Sequence, residues 1–176
     1  PFCILFFFNL YSSKDTIIYV RTIDSASIEP GKADDYYSDE VISNIFEGLV
    51  RFKDETLIIE PCLATTWEVK DNGKRWIFKL RKGVKFHNGE ILDAGAVVKS
   101  FKRRMGKHRS KYKKWEYLFS YIKDITFIDR YTVEIALNKA YGPFLSALTD
   151  PGTSIVAPGC YKGSRFKPIG TGPFKF

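Results

Sequence analysis

The sequence predicts an α/β fold of the α+β kind, in which antiparallel hairpins pack against a few amphipathic helices. Two segments show strand alternation on either side of a turn signal, and two others repeat apolar residues at helical spacing. The 176 residues are 44% hydrophobic and 16% aromatic, which is typical of a globular chain long enough to bury a core.

The first hairpin spans residues 63–80 and turns at Asp71-Asn72-Gly73. Asn and Asp tolerate left-handed backbone angles and Gly has no Cβ to oppose them, so the chain can reverse there. After the turn, alternate residues from Trp76 to Leu80 share one face, as in a half-buried strand. Residues 63–69 form the partner strand, which makes Trp67 and Trp76 candidate cross-strand neighbours.

Other strands follow from shorter patterns. Residues 16–21 (TIIYVR) predict a strand, and residues 57–60 predict a short one that Pro61 stops, because proline has no N–H for a ladder. Residues 122–129 and 131–138 predict the second hairpin, with its turn at Asp129-Arg130.

Helices are predicted in three places. Ser38 is the predicted N-cap of a helix whose apolar stripe runs from Val41 to Leu49. Asp93 is the predicted cap of a helix from 94 to about 105. The solvent-exposed face of this helix carries Lys99, Lys102 and Arg103. Pro143 lies in the first turn of a short helix that ends near Leu148.

Positive charge is concentrated in one part of the chain, which carries +8 in total. Between Ala94 and Trp115 there are nine Lys or Arg and no Asp or Glu. One interpretation is a patch that binds nucleic acid or another polyanion, and the other is a solvated helix face followed by a loop. No recognition motif accompanies the charges, which favours the second.

Catalysis and metal binding find no support in the sequence. His87 and His108 have no Cys, Ser or acidic neighbour at the spacing of a catalytic triad or zinc site, and a structural hydrogen bond is the favoured role of His87. Three cysteines without C-x-x-C spacing indicate neither zinc nor a disulfide scaffold. We predict a protein that is not an enzyme and carries no cofactor.

Several ordered motifs resemble one known family. They are Ile45-Phe46-Glu47-Gly48-Leu49, P-x-L-A-x-x-W-E-V at 61–69, the D-N-G-K turn, F-K-L-R-K-G-V-K-F-H-N-G, Asp93-Ala94 at a helix start, and Pro168 to Phe174. Together they resemble the family 5 extracellular solute-binding proteins, the peptide and nickel receptors of ABC importers. The resemblance spans about residues 16–176.

This resemblance implies a periplasmic-binding-protein-like fold, represented by the N-terminal part of its first lobe and the smaller inserted domain. Residues 16–61 are then the first segment of lobe I, 62–157 the smaller domain and 158–176 the return to lobe I. The family's second lobe is missing, so we expect an N-terminal fragment. Residues 1–15, with an apolar run from Phe2 to Tyr11, are the expected remnant of a signal peptide, the alternative being an apolar segment or buried strand.

The function implied is that of an extracytoplasmic substrate-binding component that binds peptides and delivers them to a membrane permease. Nickel, haem and sugar are alternative ligands within the family. Two other classes stay open, a basic surface protein that binds polyanions and, more remotely, a hydrolase. The family context implies no nucleic-acid partner. It leaves open whether Cys3 carries a lipid anchor.

The resemblance also implies site residues. Asp34, Asp35 and Tyr36 line the ligand cleft, although the two aspartates could instead begin the following helix. Tyr112 takes a ligand-facing aromatic position with Trp115 behind it. Cys62 and Cys160 lie beside the two crossings between domains, where a disulfide could form in an oxidising compartment; two separate buried thiols are the alternative.

Overall fold

The computed structural model describes residues 20–32, 35–105, 113–163 and 165–176; for residues 113 and 114 it describes the backbone alone. Within these ranges the elements are α1 (Tyr36–Ile45), β1 (Val50–Phe52), β2 (Ile59–Pro61), β3 (Ala64–Lys70), β4 (Arg75–Leu80), α2 (Ala94–Met105), α3 (Lys113–Tyr121), β5 (Ile122–Asp129), β6 (Thr132–Leu137), α4 (Phe144–Ala147), β7 (Tyr161–Lys162) and β8 (Arg165–Phe166). The apolar run of residues 1–15 lies outside the described residues, as does most of the strand predicted at 16–21. Its last two residues, Val20 and Arg21, are not in a strand.

A four-stranded antiparallel sheet in the order β3-β4-β6-β5 is the centre of the fold, and it confirms both predicted hairpins. At the first turn Asp71, Asn72 and Gly73 have φ values of 52°, 53° and 85°, the left-handed angles that these residue types tolerate. The predicted pairing of Trp67 with Trp76 is wrong. Because the last pair before the turn is Lys70 with Arg75, the register places Trp67 opposite Phe78 and Val69 opposite Trp76.

The core lies between one face of this sheet and the helices. Val97 and Phe101 of α2 and Phe119 of α3 are buried in the same apolar cluster as the sheet residues Phe78 and Ile135. Fully burying one such side chain stabilises the fold by about 1.5–3 kcal/mol. The cluster continues from Ile42 in α1 to Cys160, so helices and sheet share one core.

The helix caps agree with the sequence for α2 and differ for α1. Asp93 accepts a hydrogen bond from the Ala96 N–H at 2.9 Å, as predicted. The predicted N-cap Ser38 is wrong, because the cap is the extended residue Asp35, three residues earlier, and α1 begins at Tyr36. Both Asp35 carboxylate oxygens accept from Ser38, one from its N–H at 2.9 Å and the other from its hydroxyl at 2.6 Å. Pro143 caps the short helix α4, close to its predicted place.

Two features were not predicted. β1 and β2 form a small hairpin in which Pro61 pairs with Val50, whereas Leu57 and Ile58 of the predicted strand are exposed before it. The last three residues of the basic segment, 113–115, begin α3, a helix that was not predicted. Arg104 is predicted to be a solvated cation, but it is 2% exposed and donates a hydrogen bond to the Ser154 carbonyl at 2.5 Å. The prediction that all the basic residues face solvent is therefore wrong for Arg104.

The glycine-rich segment 170–174 runs beside the C-terminal end of α1. The Gly172 N–H donates to the Ile45 carbonyl at 2.9 Å and the Phe174 N–H to the Asn44 carbonyl at 3.1 Å. His87 joins the same segment: its backbone N–H donates to Gly170 O at 2.9 Å, and its Nε2 lies 2.8 Å from Gly172 O. Since a carbonyl can only accept, Nε2 carries the proton, and the predicted structural role of His87 is confirmed.

Candidate ligand-binding site

An open aromatic cavity of about 500 Å³ contains one of the predicted site residues, Trp115. We call it the aromatic cavity. Its walls come from parts of the chain that are far apart in sequence: β1, α3, and α4 with the segments on either side of it. The residues that define it are Phe52, Trp115, Tyr141, Pro143, Asp150 and Pro151.

Close packing on a glycine fixes the position of Trp115. A Cβ added to Gly152 would overlap the indole ring of Trp115, so a side chain at 152 would displace it. Gly152 lies in the 3₁₀ turn Pro151–Thr153, where the Asp150 carboxylate accepts from the Gly152 N–H at 2.8 Å. Thr153 is buried and its hydroxyl donates to the Leu148 carbonyl at 3.1 Å. The indole therefore packs on a turn that is itself held in place.

Tyrosines extend the aromatic surface beyond this cavity. The rings of Tyr121 and Tyr141 stack with centroids 4.5 Å apart, and the Tyr117 and Tyr121 hydroxyls are 2.5 Å apart. That hydrogen bond raises the pKa of Tyr117, because its hydroxyl proton is engaged. Lys139 lies 4.9 Å over the Tyr121 ring. Rings with a polar edge suit ligands that are partly apolar and partly hydrogen-bonding.

The predicted residues Asp35 and Tyr36 lie at the start of α1 and are not among the described residues that line the aromatic cavity. Asp35 acts as the helix cap, the alternative that the sequence left open, and its hydrogen bonds with the Ser38 hydroxyl and N–H lower its pKa. Tyr36 is 75% exposed. α1 packs against the turn Pro151–Thr153, which places this helix beside the turn that holds Trp115. Asp34 and Tyr112 lie outside the described residues.

Sequence reasoning missed Phe52, Tyr141 and Asp150. The Asp150-Pro151-Gly152 sequence is a recognisable turn signal, and it could have indicated a fixed loop after α4. Nothing local indicates that Phe52 and Tyr141 meet Trp115, because only tertiary packing brings them together.

The two described cysteines are separate buried thiols, so the structure lacks the disulfide considered from the sequence. Each sulfur has its own acceptor: Cys62 Sγ lies 3.6 Å from the Glu47 carboxylate, and Cys160 Sγ donates to the Ile169 carbonyl at 3.2 Å. Burial raises the pKa of each thiol to about 11. Within the described ranges no group of three or more His, Cys, Asp or Glu side chains could hold a metal ion. No helix in those ranges is long and apolar enough to cross a membrane.

Comparison with known proteins defines the class as bacterial extracellular solute-binding proteins. Residues 59–176 match the profile of the bacterial extracellular solute-binding proteins, family 5 Middle, and the chain belongs to this family. The glutathione-binding protein GsiB of Pectobacterium atrosepticum is similar, with 29% identity over 171 residues that make up 95% of this chain and 32% of the relative. The chain thus spans about a third of the length of the curated relatives it matches.

Solved structures show the same fold. The periplasmic binding protein DppA from Helicobacter pylori, in complex with the peptide STSA, is 35% identical with a TM-score of 0.78, over 87% of this chain and 35% of that one. NikA from Brucella suis, in complex with Fe(III)-EDTA, is 33% identical with a TM-score of 0.68, over 76% of this chain and 28% of that one. The predicted periplasmic-binding-protein-like α/β fold is confirmed by these neighbours.

Proposed function

We propose that this chain contributes the aromatic cavity to an extracytoplasmic receptor that binds short peptides and delivers them to an ABC permease. The observation that carries the proposal is the cavity of about 500 Å³ in which Trp115 is packed on Gly152. A fixed aromatic ring can cover a peptide side chain without demanding one particular residue type. In such a receptor a ligand favours the closed state by contacting both sides of the cleft.

Peptides are favoured over nickel, haem or sugar by two relatives. DppA was solved with a peptide, and GsiB is named for glutathione, which shares amide and carboxylate groups with peptides. Both kinds of ligand can be held through the backbone while ordered water fills the side-chain pockets. We extend the proposal to Asp34, Asp35, Tyr36 and Tyr112 as further contacts, and to residues 62–157 as the smaller domain between two segments of lobe I.

The experiment uses the tryptophans as reporters, in the protein expressed from its complete gene. Tetrapeptides, glutathione and a nickel-histidine chelate are titrated by calorimetry and by tryptophan fluorescence. The chain has three tryptophans, and Trp67 in β3 lies outside the aromatic cavity, which makes Trp67→Phe the matched control for Trp115→Phe. We expect a tetrapeptide to change the fluorescence of wild type and Trp67→Phe, and Trp115→Phe to lose that signal.

Affinity provides the second readout. Trp115→Ala should weaken tetrapeptide binding by about tenfold or more, which is about 1.4 kcal/mol. Gly152→Ala should have a similar effect, because its methyl group displaces the indole. Peptide binding that both substitutions leave unchanged would remove the aromatic cavity from the proposal. Saturable binding of the nickel chelate without peptide binding would reassign the ligand.

A further inference from the structure

A second cavity, of about 280 Å³, lies between α2 and the segment 156–163 and shares no lining residue with the aromatic cavity. Lys99, Ser100 and Arg103 line it from α2, and Pro158, Tyr161 and Gly163 line it from the opposite side. We call it the basic cavity. None of the described residues that line it is an aspartate or glutamate.

Within the described part of the chain, no acidic side chain pairs with the two cations that line the basic cavity. Lys99 and Arg103 are one helical turn apart, and neither makes an ion pair with another described residue. The neighbouring cations of α2 have partners elsewhere: Lys102 Nζ lies 3.4 Å from the Asp124 carboxylate, and Arg104 donates to a carbonyl. Two like charges that face one cavity repel each other, and an anion between them would remove that repulsion.

The guanidinium of Arg103 is held in one position. Its Cζ lies 3.1 Å from the centroid of the Tyr161 ring, and the Tyr161 hydroxyl donates to the Glu29 carboxylate at 2.9 Å. Glu29 is buried and also forms an ion pair with Lys32, so its charge is balanced. A planar cation stacked on a fixed ring loses little freedom when it binds.

One donor of this guanidinium has no hydrogen-bond partner in the described ranges. The Nε atom of Arg103 is buried and forms no hydrogen bond with a described residue. Buried donors are almost always satisfied, by protein, ordered water or ligand. A guanidinium presents its N–H groups as a planar fork that matches the two oxygens of a carboxylate or phosphate.

We propose that the basic cavity binds a small oxyanion, a phosphate or carboxylate group, through Arg103 and Lys99. This site is independent of the proposed peptide site, since the two share no residue. The anion would join α2 to the segment 156–163 and so fix the packing of the helix on that segment.

The test is a titration of the protein with sodium phosphate and with sodium succinate at constant ionic strength, followed by calorimetry and by ¹⁵N–¹H NMR. We expect saturable binding of one anion that shifts the amides of Ser100, Arg103 and Gly163. Comparing the phosphate titration with the succinate titration shows which of the two groups the cavity binds. Arg103→Gln should weaken binding by about tenfold or more, because it removes the charge and the fork.

Lys102→Gln is the matched control, because it removes the same charge from the same helix outside the basic cavity. Its affinity should equal that of wild type. An equal loss in Lys102→Gln, or uptake that does not saturate, would show diffuse attraction and overturn the proposal. If Arg103→Gln does not fold, Lys99→Glu changes an exposed residue, and unaltered anion binding in that variant would overturn it equally.

Discussion

Cys62 and Cys160 show how burial and local acceptors decide the state of single residues. The family resemblance implies that both lie beside crossings between domains, but it does not say where each sulfur points. In the structure each thiol is buried and has its own oxygen acceptor. Desolvation penalises a thiolate, so both groups are poor nucleophiles at neutral pH.

The raised pKa values predict a loss of stability in alkali. A thiol whose pKa is about 11 in the folded state and 9.0 ordinarily ionises first in the unfolded chain. Its contribution to stability is complete below pH 9.0 and is lost as the pH rises through about 11. We expect each thiol to account for about 2 kcal/mol of that loss. Urea unfolding of wild type against the Cys62→Ala/Cys160→Ala variant, from about pH 8 to pH 11, measures it.

The double variant provides the control, because every other ionisable group is the same in both proteins. Its free energy of unfolding should fall less steeply between about pH 9 and pH 11 than that of wild type. Parallel curves for the two proteins would mean that the thiols do not contribute.

At the scale of elements, sequence predicts best where the signal is local. The Asp71-Asn72-Gly73 turn and the Asp93 cap each depend on a few adjacent residues, and both are present in the structure. The helix α3 was not predicted, although Trp115, Leu118 and Phe119 are at helical spacing. The run of cations before it was interpreted as a solvated helix face followed by a loop. The aromatic cavity was not predictable, because its walls meet only through tertiary packing.

The start of α1 gives a prediction about the backbone donor of Tyr36. Tyr36 is the first helical residue, where proline is well tolerated because its missing N–H has no partner within the helix. Tyr36→Pro should therefore leave the thermal midpoint nearly unchanged. If the Tyr36 N–H binds the peptide, the same variant should lose more than about tenfold in affinity.

Tyr36→Ala is the companion variant, since it keeps the N–H and removes the side chain beyond Cβ. Calorimetry on both variants separates a backbone contact from a side-chain contact. Wild-type affinity in Tyr36→Pro would exclude the backbone contact, and equal losses in both variants would assign the interaction to the side chain.

At the scale of the whole molecule, backbone contacts connect α1 to the loop that contains His87. Segment 170–174 lies between them, bonded to Ile45 and Asn44 on one side and to His87 on the other. The contacts are too close for side chains. A Cβ on Gly172 would lie 2.7 Å from Asn44 O, and one on Gly170 would overlap the Ile45 carbonyl. The two glycines of the Gly-Thr-Gly-Pro sequence are therefore a packing requirement of this junction.

Gly170→Ala tests this junction, because its methyl group would meet backbone atoms at Ile45 that cannot rotate away. We expect a loss of about 1–3 kcal/mol in the free energy of unfolding, measured in urea. Hydrogen exchange should accelerate at Gly172 and Phe174, whose amides donate to α1, and at His87, whereas the sheet amides of β4 and β6 should stay protected. Gly142→Ala is the control, since nothing lies within 4 Å of a Cβ there. Equal stability of the two variants would show that segment 170–174 adjusts freely and that it does not couple α1 to the His87 loop.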